Sequence, residues 1–182
     1  MEEIAFITSN KGKFAEAESI LKEMGLRIVH RSLRIEEKRS ESITEVARQS
    51  ALMACAEFGK PLFVEDSGLF VDSLNGFPGA YSAWVSEKIG NHGLLRLLEG
   101  ESGRGAEFRA CVAFADSSGV STFEGVVRGS IADAERGGAG FGYDPVFVPE
   151  GEAETYAENP LLKADSHRAR ALMKFGKWIL TR

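Results

Sequence analysis

A buried-strand pattern, Leu62-Phe63-Val64, runs directly into two adjacent carboxylates, Glu65 and Asp66. No other stretch limits the possible folds as tightly. Successive side chains on a strand point to opposite faces, so the two acids cannot both enter the core. At least one looks past the carboxyl end of the strand, the place where open α/β sheets bind ligands. Ser67-Gly68 reads as a turn, and a second apolar run, Leu69-Phe70-Val71, leads away. Asn75-Gly76-Phe77-Pro78-Gly79 is then strong turn chemistry. The same pair of acids also fits a blander role, as solvated caps on the next element.

The segments on either side supply the sheet and its helices. Residues 3–8 (EIAFIT) predict a short buried strand. Thr8-Ser9-Asn10-Lys11-Gly12-Lys13 follows and opens a helix with Phe14, Ala17, Ile20, Leu21 and Met24 on one face. Gly25 ends it. Backbone N–H groups at a helix start favour anions, and Lys13 adds a point charge. Taken alone, Ser9 or Asn10 is equally a helix cap and Lys13 a solvated lysine. Leu26–Leu33 predicts a second strand. After a charged connection, RIEEKRSES, Ser42 or Thr44 caps a helix to about Phe58.

Beyond the carboxylate pair the spacing predicts a helix over Ser86–Leu98, weakened at Gly90 and Gly93. Two β runs, Ala106–Ala115 and Val120–Val127, form a hairpin through Asp116-Ser117-Ser118-Gly119. Residues Arg136 to Asp144 (RGGAGFGYD) are the most glycine-dense segment. Phe141 and Tyr143 sit there outside any core periodicity. They fit a stacking platform for a ring, and equally a lid folded on the core. Pro145–Pro149 is a short strand. Ser166 to about Leu180 is a closing helix with His167 and Arg168 in its first turn. Cations there oppose the helix dipole unless an anion meets them.

The order predicts an α/β chain: a mixed central sheet flanked by helices, as one domain over 1–182 with two lobes and a cleft between them. That cleft would collect the TSNKGK loop, the EDSG stretch, the glycine loop and Ser166-His167-Arg168. At 182 residues and 43% hydrophobic composition the chain suits one large domain. A net charge of −5 argues against general affinity for nucleic acid or anionic membrane. Cys55 and Cys111 lack metal-site spacing and read as reduced core thiols. The start, MEEIAF, has no signal-peptide pattern, and no apolar run approaches a membrane span. A cytoplasmic protein is expected.

Together these features describe a nucleotide site, and they carry a resemblance. TSNKGK, VEDSGLFVDSLNGFPGAYSAW, GFGYDPVF and SHRARAL resemble, in order and along nearly the whole chain, the inosine triphosphate pyrophosphatase (Ham1-like) family. Its members cleave unusual purine nucleoside triphosphates (ITP, dITP, XTP) to monophosphate and pyrophosphate. The resemblance implies phosphate contacts at Thr8, Ser9, Asn10, Lys11, Gly12 and Lys13. It implies Mg²⁺ held by Glu37, or by Glu36 one residue away, together with Asp66. Asp66 would be catalytic, with Ser67 touching substrate. Phe141, Gly142, Tyr143 and Asp144 would stack and read the base, with His167 and Arg168. The family places a lysine four residues before the serine of SHR. Here that position is Leu162, and Lys163, three before, is the candidate replacement. A homodimer is also implied.

In the chemistry this implies, Asp66, alone or with Glu65 beside it, orients or deprotonates a water that attacks the α-phosphorus. Lys13 and the loop amides stabilise the leaving pyrophosphate. Arg168 donates to a 6-oxo group. Adenine's 6-amino group would leave a donor facing a donor, at a cost of roughly 1–3 kcal/mol. Two alternatives remain: a nucleotide pyrophosphatase with another base preference, and a non-catalytic nucleotide- or RNA-binding module that stacks on Tyr81, Trp84 and Phe141.

Overall fold

The computed structural model describes residues 4–33 and 40–182. Thirteen elements follow in chain order: β1 (Ile4–Ile7), α1 (Lys11–Glu23), β2 (Ile28–Arg31), α2 (Ile43–Phe58), β3 (Leu62–Val71), a 3₁₀ turn (Asp72–Leu74), β4 (Pro78–Gly79), α3 (Ser82–Leu97), β5 (Gly105–Asp116), β6 (Gly119–Ile131), β7 (Phe147–Pro149), a second 3₁₀ turn (Pro160–Asp165) and α4 (His167–Ile179). They build one seven-stranded sheet in the order β2-β1-β3-β5-β6-β7, with β4 paired to β3. β1 runs parallel to β2 and to β3, whereas β3–β4 and β6–β7 are antiparallel. The expected mixed α/β sheet with flanking helices is therefore present.

By internal packing the chain falls into two compact units. The first comprises Met1–Asp66, Ala110–Gly125 and His167–Arg182, and the second Ser67–Arg109 and Val126–Ser166. In the first unit, Phe6 on β1 stacks on Phe63 of β3, ring centroids 4.4 Å apart. Leu21 from α1 and Leu172 and Phe175 from α4 close over them. These are the apolar stripes that helical spacing selects, and burying them holds both helices to the sheet. In the second unit Leu69, Val71, Leu94, Phe108, Val127, Phe147 and Tyr156 form a separate core.

Three expectations change. The predicted turn at Ser67-Gly68 does not form, and β3 runs unbroken from Leu62 to Val71. The small residues serve a close approach instead. A Cβ at Gly68 would stand 2.2 Å from the Gly79 carbonyl oxygen, so only glycine lets β4 lie so near. Ser82 Oγ then accepts the Leu69 N–H at 2.8 Å and donates to Gly79 O at 2.7 Å. α3 begins at Ser82 rather than Ser86, and its helix breaks at Gly90, where φ is 61°. Cys111 is a buried thiol as expected, with burial pushing its pKa up to about 12. Cys55 is only half-buried.

Candidate functional site

In the first unit four charged side chains, Glu65, Lys13, Arg168 and Glu16, converge midway along β3. Glu65 is buried, and its neighbour Asp66, on the opposite face of the strand, is half-buried. Lys13 Nζ lies 2.9 Å from Glu65 Oε2 and donates to the Glu65 backbone carbonyl at 3.3 Å. Arg168 Nε lies 3.2 Å from the other carboxylate oxygen, Oε1. Arg168 Nη1 also donates to Glu16 Oε2. Burial alone would raise the Glu65 pKa. Arg168 and Lys13 outweigh it and carry the pKa from 4.5 down to about 2. Both cations fall where the sequence puts them, at the start of α1 and of α4. Neither is the solvated group a lone first-turn cation would be. The dipole conflict at Arg168 is answered by two carboxylates.

This arrangement removes Glu65 from the acid–base work considered for it. A carboxylate locked between two cations and ionised down to about pH 2 is a poor proton acceptor near neutrality. Asp66 is the remaining carboxylate of the pair.

The loop before α1 is ordered by its own side chains. Asn10 caps the helix, its Oδ1 accepting the N–H of Gly12 at 2.8 Å and of Lys13 at 3.1 Å. Thr8 Oγ1 accepts the Asn10 N–H at 3.1 Å. Two of the loop amides, those of Gly12 and Lys13, are thus already bound by Asn10. His30 on β2 places its Nε2 2.7 Å from the Thr8 carbonyl oxygen. A carbonyl only accepts, so that ring nitrogen carries the proton. Nothing in the sequence pattern singled out His30 or Glu16. Glu65 was visible as one of a pair, though not as the partner of residues 52 and 103 positions away.

In the second unit the glycine loop separates its two aromatics. Tyr143 is 4% exposed and belongs to the core; its hydroxyl donates to Ser82 O at 3.1 Å. Phe141 is 39% exposed. Of the two alternatives expected of these rings, Tyr143 takes the one folded on the core, and Phe141 keeps an exposed ring. Asp144 is buried and shapes the loop: its Oδ2 accepts the Phe141 N–H at 2.8 Å. The same oxygen meets Lys163 Nζ at 3.1 Å, and that ammonium lies 4.8 Å from the Phe141 ring centroid. Lys163, one position away from the expected lysine, is thus joined to the acid and the ring of the FGYD segment. Gly140 at φ +80° leaves room for this: a Cβ there would lie 2.1 Å from Asp144 Oδ2. Asn91 donates to Gly142 O at 3.1 Å, a contact the sequence did not reveal.

Glu37, the second expected metal ligand, and its neighbour Glu36 lie outside the described residues. Among the described residues no three His, Cys, Asp or Glu side chains cluster as a metal cage. One or two hard carboxylates fit Mg²⁺, which keeps several waters and shares substrate phosphates; they do not fit a closed zinc site. Among the described residues no helix is long and apolar enough to cross a membrane.

Known proteins share this sequence and fold. The sequence model of the Ham1 family matches residues 4–178. The chain is 46% identical over 178 residues to a dITP/XTP pyrophosphatase of Methanopyrus kandleri, covering 96% of this chain and 95% of that protein. It is 42% identical to the one from Saccharolobus solfataricus, covering 97% and 93%. Among solved structures, a HAM1 protein from Coxiella burnetii superposes with a TM-score of 0.88 at 30% identity, over 100% of both chains. A nucleoside-triphosphatase / dITP/XTP pyrophosphatase from Mycobacterium abscessus gives 0.75 at 34% identity, over 96% and 97%.

Proposed function

This chain belongs to the Ham1 family, and on that footing we propose that it hydrolyses ITP, dITP and XTP to the nucleoside monophosphate and pyrophosphate, removing them from the nucleotide pool. The observation that carries the reading is the contrast midway along β3. Glu65 is sealed between Lys13 and Arg168, and the half-buried Asp66 next to it falls on the other face by strand alternation.

Asp66 orients a water and accepts its proton as the oxygen attacks the α-phosphorus. The bond from that phosphorus to the bridging oxygen breaks, and pyrophosphate leaves against the Lys13 ammonium. Ser67 and the side chains of Thr8, Ser9, Asn10 and Lys11 complete the phosphate contacts, with Gly12 keeping the loop slim. Asp66 and Glu37 would hold Mg²⁺, which when bound neutralises charge on the phosphate oxygens. Phe141 stacks on the base, with Lys163, Asp144 and Gly142 around it. Arg168 and His167 read its 6-oxo edge, and Tyr143 supports the loop from the core. The reading also makes the protein a cytoplasmic homodimer. Exposed Tyr81 and Trp84, the latter 61% accessible, favour such an interface.

The test is pyrophosphate release from ITP, dITP and XTP against GTP, ATP and dUTP, with and without Mg²⁺. Release that needs Mg²⁺ and favours the first three is expected. No Mg²⁺-dependent release, or a preference for dUTP, overturns the proposal.

A further inference from the structure

Glu65 has no part in the chemistry above, yet among the described residues it is the most fully sealed acid of the first unit. Its side chain is 0% exposed. Burying a carboxylate is costly unless its oxygens are matched, and here each oxygen meets a different cation. Oε2 meets Lys13 at 2.9 Å, and Oε1 meets Arg168 at 3.2 Å. The Glu65 backbone carbonyl takes a further bond from Lys13 at 3.3 Å. Lysine is a flexible point charge on a four-carbon stem, and arginine a rigid planar fork. One fixed carboxylate removes the freedom of the first and sets the plane of the second. Glu16 takes Arg168 from another nitrogen.

We propose that Glu65 is a positioning residue, a single buried carboxylate that aims the Lys13 ammonium at the phosphates and the Arg168 guanidinium at the base. This rests on the proposed function for what the two cations touch. Phosphate grip and base selection then depend together on a residue that contacts neither. Glu16 meets the arginine from its other side.

The experiment compares Glu65→Gln and Glu16→Gln with wild type. The readouts are kcat and KM for ITP and ATP, and inhibition by inorganic pyrophosphate. In Glu65→Gln, kcat/KM for ITP is expected to fall ~100-fold, the effect of a misplacement of about 1 Å. The inhibition constant for pyrophosphate should rise about tenfold, and the ITP/ATP preference should fall at least about fivefold, as expected when a charged hydrogen-bonding group loses its aim. Glu16→Gln should reduce the preference and leave pyrophosphate inhibition in place. A residue that only stabilises the fold would scale both nucleotides equally and leave the pyrophosphate constant unmoved. That outcome in a folded Glu65→Gln overturns the proposal, as does movement of only one of the two readouts. If Glu65→Gln does not fold, Glu65→Asp, which keeps the charge but withdraws it by one methylene, is judged by the same criteria. A wild-type protein without pyrophosphate release refutes the function instead. The positioning role is then read from the Arg168 Nε–H resonance: slow exchange in wild type and loss in Glu65→Gln support it, and the same exchange in both overturns it.

Discussion

The two units each place a carboxylate against a lysine, and they use the pair differently. In the first, Glu65 is enclosed and shared by two cations. In the second, Asp144 spends one oxygen on both a backbone N–H and Lys163, beside the exposed Phe141 ring. The first arrangement fixes charged groups, and the second fixes the shape of a loop. Similar ingredients thus give an electrostatic device in one place and a mechanical one in the other. Removing an acid should disturb charge placement in the first and chain conformation in the second.

The sharpest test of the contrast lies one residue from the sealed acid. Asp66→Asn should lower kcat by about 10³-fold, the typical contribution of a placed base, while nucleotide still binds by calorimetry. Full turnover in that variant would erase the distinction between Asp66 and Glu65. Next in size is Lys13→Met, which leaves Glu65 enclosed with only Arg168. Breaking a buried pair costs roughly 3–5 kcal/mol, to be read as a fall in urea midpoint at unchanged m-value. A surface-like loss below about 1 kcal/mol would mean the pair is wetter than its geometry shows.

The acid limb of stability sharpens the same point. Glu65 has a folded pKa of about 2 against 4.5 for the free group. A depressed carboxylate stabilises the fold fully above about pH 4.5, and that contribution is lost as pH falls toward 2. The loss is on the order of 3 kcal/mol, from ~1.4 kcal/mol per pH unit. Chemical denaturation at pH 5, 3.5 and 2 measures it, and Glu65→Gln should lack that slope. In the second unit, Phe141→Ala should raise KM for ITP about tenfold with kcat nearly kept, since stacking on a base contributes roughly 1–3 kcal/mol. The smallest effect is Tyr143→Phe, a stability loss of about 1 kcal/mol with KM unmoved. A KM change there larger than that of Phe141→Ala would reverse the assignment of the two rings.

The elements were legible because their signals are local. Gly25 and Gly59 end α1 and α2, Ser42 caps α2 with its hydroxyl on the Glu45 N–H, and apolar spacing marks the inward faces. The turn at Ser67-Gly68 was misread because small residues serve close packing as well as bending. Only the approach of Gly79, eleven residues on, tells which. Asn10 was legible as a cap, but which amides it takes, those of Gly12 and Lys13, was not. Tyr143 and Phe141 look alike in sequence; the Ser82 carbonyl separates them. Lys163 stands one position off the motif's lysine, and its bond to Asp144, nineteen residues back, has no local signal. The Glu65 cluster was the least legible, since pairing across 52 and 103 positions leaves no periodic trace.

Residues 13, 65 and 168 cannot drift separately under selection. Any single neutralising change takes a partner from a charge in a dry interior, and the losses do not add because each substitution changes the worth of the next. A lineage that abandons one of the three must pass through a poorly folding intermediate or change two together. The trio should therefore be inherited as a block, and a descendant that replaces Glu65 should be found to have replaced a cation as well.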